Sequence, residues 1–135
     1  MSNKIDTIEG IGAVYKEKLE AAGVATTEQL LDQCASAKGR KDFAAKTGLS
    51  EGQLLKWANM ADLLRVKGVG KEYSELLEAA GVDTVKELAT RRADNLHAAL
   101  TTTNEAKKLA RRAPNAAEVE GWIAAAKALD PKITH

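Results

Sequence analysis

Hydrophobic side chains recur with helical spacing at two places in the chain. The first set follows an i, i+3, i+4, i+7, i+10 pattern at Leu54, Trp57, Ala58, Ala61 and Leu64. The same pattern returns 65 residues later, at Val119, Trp122, Ile123, Ala126 and Leu129. This spacing puts each set on one face of a helix. We therefore predict two long amphipathic helices in which both tryptophans are core anchors rather than platforms for stacking bases.

A duplication extends beyond these helices. When residues 8–31 are aligned with residues 66–89 at an offset of 58, 12 of the 24 positions are identical. The offset grows by seven further along, so the second copy carries extra residues, which we expect at the surface as a helical insertion at 95–112. The predicted organisation is a first repeat at 1–64 and a second at 65–130, packed as one compact unit, and a tail at 131–135.

Capping signals mark where the helices of each copy begin and end. The first helices, predicted at 13–22 and 71–80, both run to a glycine, the residue that most readily ends a helix. Capping boxes then open the next helices at Thr26 and Thr84, and Ser50 and Asn115 cap the last ones. Middle helical segments are predicted at 40–46 and 104–112. Each copy thus consists of helices joined by short turns.

Composition supports an all-α fold. The 135 residues are 44% hydrophobic and 29% charged, with only two prolines and five aromatic side chains, a mixture that favours helix over strand. No apolar run reaches the roughly 20 residues of a membrane span, and the first residues lack the apolar stretch of a secretion signal. We expect a cytoplasmic protein with no membrane partner.

Catalytic and metal-binding chemistry is poorly represented. The single cysteine, Cys34, excludes a disulfide framework, and its surroundings carry no nucleophile signature. The two histidines, His97 and His135, are too few for a histidine-and-cysteine metal site. We therefore predict no catalytic residues, no metal site and a non-enzymatic protein.

Two glycine hairpins are the strongest motifs. They read Ile8-Glu9-Gly10-Ile11-Gly12 and Val66-Lys67-Gly68-Val69-Gly70, each followed by a leucine seven positions after the second glycine. Both resemble the helix-hairpin-helix motif. The resemblance implies a sterile-alpha-motif-like helical fold with pseudo-twofold symmetry, and contact with the DNA backbone without sequence reading. It also implies basic residues at the hairpin and, as the one cofactor to consider, a monovalent cation held by hairpin carbonyls.

The two hairpins differ in charge. Lys67 and Lys71 flank the second pair of glycines, where the first hairpin has Glu9 and Ala13. Only the second hairpin, at 67–71, is therefore expected to bind phosphate, and Gly10, Ile11 and Gly12 form a second hairpin-like site. Two positions after the last glycine, where DNA-gripping hairpins usually carry a basic residue and lyases a catalytic lysine, the chain has Val14 or Glu72.

Basic residues concentrate in the second copy although the net charge is only +1. The candidate cluster is Arg91, Arg92, Lys107, Lys108, Arg111 and Arg112. The i, i+4 spacing predicts that the last four lie on adjoining stripes of one helix. This face could meet phosphate or acidic protein, or could simply be solvated; it could also dock on the acidic helices that carry Glu17, Glu20, Glu75 and Glu78.

A wider resemblance covers nearly the whole chain. The stretches at 54–63, 66–70 and 76–88, with closing segments at 108–114 and 119–123, are similar to a bacterial family of domains of unknown function. Residues that carry it include Trp57, Gly68 and Trp122. That resemblance implies the tandem helix-hairpin-helix fold but brings no activity with it.

Two hypotheses about function remain open. In the first, the chain binds DNA or RNA backbone without sequence specificity through the second hairpin and the basic cluster. In the second, it is a protein-interaction or self-association module with no nucleic-acid role, in which acidic hairpin helices meet the basic face of a partner.

Overall fold

Helices account for the regular structure, as composition predicts. A computed structural model describes residues 3–135, and within that range it contains eight α helices, one short 3-10 helix at Ile5–Thr7 and no strand. A single antiparallel bridge joins Lys4 to Thr26. The helices are α1 Ala13–Ala21, α2 Thr27–Cys34, α3 Ala37–Thr47, α4 Glu51–Leu63, α5 Lys71–Ala79, α6 Val85–Ala89, α7 Ala93–Lys107 and α8 Ala116–Ala128. The all-α prediction is confirmed.

The chain divides into two compact units. The first holds the described residues up to Asp62 together with Lys132–His135, and the second holds Leu63–Pro131. In the first unit, α2 packs against α3, and both α1 and α2 contact the 3-10 helix. Its buried apolar residues include Ile5, Ile8, Leu19, Leu30, Leu31, Phe43, Leu54 and Trp57.

The last residues of the chain are held by the first unit. Thr134 donates its amide to the carbonyl of Ala35 at 2.8 Å. The guanidinium of Arg40, only 5% exposed, donates to the carbonyls of Cys34, Ala35 and Thr134 at 2.7–3.0 Å. Ile133 between these contacts is buried. A buried guanidinium needs acceptors for its N–H groups, and Arg40 finds one of them in the tail. The predicted tail therefore lies against the connection from α2 to α3.

Side-chain caps fix the helix starts that the sequence indicates. Complete capping boxes form at Thr26 with Gln29 and at Asn115 with Glu118. Thr84 accepts from the amide of Glu87 at 3.2 Å, whereas the carboxylate of Glu87 pairs with Arg91. Ser50 also caps its helix, through the amide of Gln53 at 3.1 Å. These bonds satisfy amides that a helix start leaves without backbone partners.

The second unit builds its core around α8. This helix packs against α6 and α7, and α7 also packs against α5. The cluster includes Val66, Leu76, Leu77, Val82, Leu88, Leu96, Leu100, Val119, Trp122 and Ile123. Leu96 and Leu100 belong to the segment that distinguishes the second copy. The expectation that this added segment lies at the surface is therefore wrong for α7, which contributes to the core.

The end of α7 also corrects the sequence prediction. The helix stops at Lys107, and Lys108 takes a left-handed conformation with φ of 51°. The side chain of Asn104 then bonds both the amide and the carbonyl of Ala110, at 2.9 and 3.1 Å. These bonds turn the chain away from helical geometry. A helix over 104–112 is therefore wrong, and Lys107, Lys108, Arg111 and Arg112 do not share one helix.

Candidate functional site

Both hairpins make the same tight turn. The amide of Ile11 donates to the carbonyl of Ile8 at 3.2 Å, and the amide of Val69 donates to that of Val66 at 3.0 Å. The glycine inside each turn, Gly10 or Gly68, has a φ of 95° or 92°. Residues that carry a side chain rarely adopt such a backbone conformation, so both positions strongly favour glycine.

Each turn is followed directly by the start of a helix, α1 or α5. Ile11 and Val69 are buried and anchor the turns. Gly12 and Gly70 are the N-cap residues of α1 and α5, and neither provides a side-chain cap. A helix start of this kind carries partial positive charge and offers N–H groups to an anion.

A buried tryptophan underlies each hairpin. An ideal Cβ on Gly68 would lie 3.1 Å from Nε1 of Trp122, and one on Gly10 would lie 3.5 Å from Nε1 of Trp57. Tyrosines pack on these indoles with ring centroids 5.1 Å apart for Tyr15 and Trp57 and 5.0 Å for the pair in the second unit. The tryptophans are 2–3% exposed, which confirms their prediction as core anchors.

An open groove lies at the start of α5. It has a volume of about 590 Å³, and we call it the α5 groove. Its lining residues are Gly68, Gly70, Lys71, Glu72, Tyr73, Arg111 and Arg112. The structure therefore brings the second hairpin together with two arginines of the predicted basic cluster. Lys67 is exposed next to the lining glycine, and Val69 points into the core.

Glu72 joins the α5 groove to the connection between α7 and α8. Its carboxylate accepts from the backbone amide of Arg111 at 2.8 Å and from Nε of the same residue at 3.2 Å. These bonds lower the pKa of Glu72 below its ordinary value of 4.5, chiefly through the Arg111 backbone amide. Glu72 is therefore ionised at neutral pH and fixes the path of the connection.

Arg112 is paired more completely than its neighbour. Its Nη1 and Nη2 donate to the two carboxylate oxygens of Glu118 at 2.7 and 3.1 Å. This two-point pairing lowers the pKa of Glu118 and raises that of Arg112. Tyr73, which lines the same groove, has a raised pKa because of burial and then the charge of Glu118. The arginine side chain of residue 111, in contrast, is 93% exposed.

Other residues of the predicted basic cluster lie elsewhere in the second unit. Arg91 donates to the carbonyl of Gly81 at 3.0 Å and pairs with Glu87 at 2.7 Å. With Arg92 it lines a separate groove of about 540 Å³, whose other residues include Asp94, Glu120, Ile123 and Lys127. Lys107 and Lys108 are exposed at the end of α7 and line neither groove.

The first hairpin presents a different surface. At the position of Glu72 it has Val14, the side chain of which is 75% exposed. Glu9 and Ala13 stand where the second hairpin has its lysines, and both are exposed. Nζ of Lys16 lies 3.7 Å from a carboxylate oxygen of Asp6. The first hairpin thus offers the same backbone turn with an acidic and apolar surround.

Several residues of the α5 groove escaped sequence reasoning. In the sequence, Glu72 is only a departure from the basic residue of DNA-gripping hairpins, and neither Tyr73 nor Glu118 is among the predicted site residues. The pairing of Glu72 with Arg111 joins residues 39 positions apart, which no local pattern reveals. One usable signal was the opposite charge of the two side chains.

The other features that the sequence raises are the Cys34 thiol, a metal site and a membrane span. Cys34 is fully buried, and burial raises the pKa of its thiol to about 11, which disfavours the reactive thiolate at neutral pH. Across residues 3–135, no three His, Cys, Asp or Glu side chains form a metal-ligating group. Within the same range, no helix is both long and apolar enough to cross a bilayer.

A family model matches residues 9–129, which is most of the chain. Its description is a domain of unknown function, DUF4332. The chain belongs to this family. The DUF4332 match begins in the first hairpin and ends after α8, so it includes both hairpins and the α5 groove. No curated protein and no solved structure gives a significant match.

Proposed function

We propose that this DUF4332 protein is a non-enzymatic module that binds the phosphate backbone of nucleic acid through the α5 groove, without reading sequence. The observation that carries the proposal is the convergence of the capless start of α5 with Lys71, Arg111 and Arg112 in one open groove. Oriented amides and cationic side chains together favour phosphate. No catalytic step and no cofactor enter this proposal.

The form of the groove supports contact with the backbone rather than with base edges. Gly68 and Gly70 have no side chains that would keep a phosphate away from the amides. Amide and guanidinium contacts to phosphate fix position and carry no sequence information.

The same proposal includes a duplicated helix-hairpin-helix architecture with pseudo-twofold symmetry. Its support is the repeated turn with a glycine of φ near 92–95°. Further support comes from the tyrosine–tryptophan pair beneath each hairpin. In this account the first hairpin keeps the fold and has lost the charge for binding phosphate.

A protein partner is the second candidate function. The groove beside Arg91 and Arg92 favours it, because this groove mixes both signs of charge with the side chain of Ile123. Such a mixed surface suits a protein better than a uniformly charged backbone. In that case the basic residues of the α5 groove would contribute to solubility or to an acidic partner.

Binding to a mixed-sequence duplex and to a single strand distinguishes the two candidates. We expect fluorescence anisotropy to detect binding at low salt. The logarithm of the affinity should fall linearly with the logarithm of the salt concentration, because neutralised phosphates release counterions. A Lys71→Ala, Arg111→Ala variant should lose most of this binding. A change of base sequence should leave the affinity nearly unchanged.

A charge-matched control distinguishes binding at the α5 groove from non-specific attraction between nucleic acid and the positive charges of the protein. Lys41→Ala with Lys56→Ala removes two exposed positive charges from the first unit and should bind almost as wild type does. Equal loss in both double variants would count against the groove. If wild type fails to bind at low salt, the protein-interaction function becomes the better account.

A further inference from the structure

Residues 132–135 contact the first unit in the way that an extended peptide contacts a receptor. They belong to that unit, although the chain reaches them only after residues 63–131 of the second. Both backbone groups of Thr134 are bonded there. Its amide donates to the carbonyl of Ala35 at 2.8 Å, and its carbonyl accepts from Nη2 of Arg40 at 2.7 Å. Main-chain bonds of this kind give affinity in peptide recognition without reading a side chain.

Arg40 forms the receptor side of this contact. It is only 5% exposed, and its Nη1 donates to the carbonyls of Cys34 and Ala35 at 3.0 Å. These two bonds fix the guanidinium, so that Nη2 is directed at the carbonyl of Thr134. A buried donor without an acceptor is costly, and the site therefore favours an occupant that supplies a carbonyl. The planar fork of arginine suits such an arrangement, which a single lysine nitrogen does not reproduce.

Selectivity for a side chain comes from one position. Ile133 is 8% exposed, whereas the residues on either side of it are exposed. We propose that the first unit carries a peptide-binding site, formed by Arg40 and the carbonyl of Ala35, for an extended segment in which a large aliphatic residue precedes a residue other than proline. Proline is excluded because it has no N–H to donate. The chain's own residues 132–135 occupy this site as a releasable strap, independently of the α5 groove.

Release of the strap breaks few contacts. The carbonyl of Asp130 accepts from Nη2 of Arg65 at 2.8 Å, so the chain before the strap is anchored within the second unit. Pro131 and Lys132 are exposed and follow the end of α8, which makes them the hinge. Opening therefore costs the two backbone bonds of Thr134 and the burial of one aliphatic side chain, and unfolds no helix. The same segment of a second copy can then enter the vacated site.

A synthetic peptide with the sequence of residues 128–135 tests the site on the whole protein. Ile133→Asp releases the strap, because a carboxylate is costly to bury. The amide of Ser36 and the Nε–H of Arg40 report binding by NMR. The peptide should bind this variant and bind wild type about tenfold more weakly, since the tethered strap competes at a millimolar effective concentration. A peptide with Thr134→Ala should bind equally well, and one with Thr134→Pro should not bind.

Arg40→Met in the Ile133→Asp background should abolish peptide binding. Lys41→Met is the matched control, because it removes the same charge from the next, exposed position of α3. If circular dichroism shows that Ile133→Asp does not fold, Thr134→Pro releases the strap at an exposed position and replaces it. The proline peptide keeps the test decisive where Arg40→Met does not fold, since it alters only the ligand.

Three results would overturn the proposal. The first is absence of peptide binding to the variant with the released strap. The second is equal affinity of the peptide for that variant and for wild type, because the strap would then not occupy the site. The third is equal binding of the alanine and proline peptides, because the amide of residue 134 would then not be recognised.

Discussion

The two hairpins of this protein share a backbone and differ in what surrounds it. In each, a glycine with positive φ sits over a buried tryptophan, and a second glycine begins a helix. Around the first are Glu9 and the exposed Val14; around the second are Lys67, Lys71 and two arginines brought in from the connection before α8.

The glycine turn therefore has a structural role in both units, and we expect it to bind phosphate only where cationic side chains surround it. The turn is maintained in the first unit without a lysine at either flank, so its geometry does not depend on these cations. Contact with phosphate requires cations in addition to amides. In the second unit two of those cations, Arg111 and Arg112, come from outside the repeated segment.

Replacement of the buried tryptophans should give the largest change in stability. It tests whether the two hairpins depend equally on the indole beneath them. We expect Trp122→Ala to lower the free energy of unfolding by about 3–5 kcal/mol, because it removes a large buried ring and leaves a cavity. Trp57→Ala should cost a similar amount. Urea denaturation followed by circular dichroism measures both. A loss below about 1 kcal/mol in either would show that the indole does not support its hairpin.

Exchange of the flanking side chains sharpens the comparison of function. Lys67→Glu with Lys71→Ala gives the second hairpin the residues of the first and should reduce duplex affinity at low salt by about tenfold or more. The slope of log affinity against log salt should fall by about two, since two phosphate contacts are lost. The converse variant, Glu9→Lys with Ala13→Lys, should gain salt-sensitive binding. Anisotropy that gives identical salt slopes for wild type and the first variant would contradict the assignment.

Alanine at the turn glycines should have a smaller effect and a definite order. A side chain at positive φ costs about 1–3 kcal/mol. Gly68→Ala should be more destabilising than Gly10→Ala, because its Cβ would lie 3.1 Å from the indole nitrogen rather than 3.5 Å. Thermal unfolding of the two variants measures the difference. The reverse order would show that the indole of Trp122 gives way more easily than its spacing indicates.

Acid should lower the stability of the second unit by protonating Glu72 and Glu118. We expect this to be the smallest of the four effects. Arg111 and Arg112 lower the pKa of Glu72 and Glu118 in the folded protein. A lowered folded pKa contributes stability above the unfolded value, and this contribution is lost as the pH falls below about 4.5 toward the folded pKa. Carboxyl-carbon NMR titration should show both groups titrating below their ordinary range. In Glu72→Gln, the decline of stability in acid should be shallower than in wild type.

Much of the fold follows from local signals that the sequence displays. Gly10 and Gly68 reveal the turns, Thr26 and Asn115 reveal helix starts, and Trp57 and Trp122 stand on evident apolar faces. These features depend on residues within a few positions of one another. Local hydrogen bonds and helical periodicity therefore suffice to predict them.

The composition of the α5 groove depends on a contact that local signals do not contain. The i, i+4 spacing of Lys107 with Arg111 assumes a continuous helix, but the side chain of Asn104 bonds Ala110 and ends it. The connection then returns to Glu72. Only the three-dimensional path shows that Arg111 and Arg112 join the hairpin while Lys107 stays outside the groove.

Amide mapping of a bound duplex tests the central claim most directly, because it reads both hairpins in one experiment. When a short mixed-sequence duplex is added at low salt, the account predicts shifts of the amide resonances of Gly70, Glu72, Tyr73 and Arg111 that diminish as salt is raised. The resonances of Gly12 and Tyr15 should remain in place. Equal shifts at both hairpins, or shifts confined to residues outside the α5 groove, would contradict it.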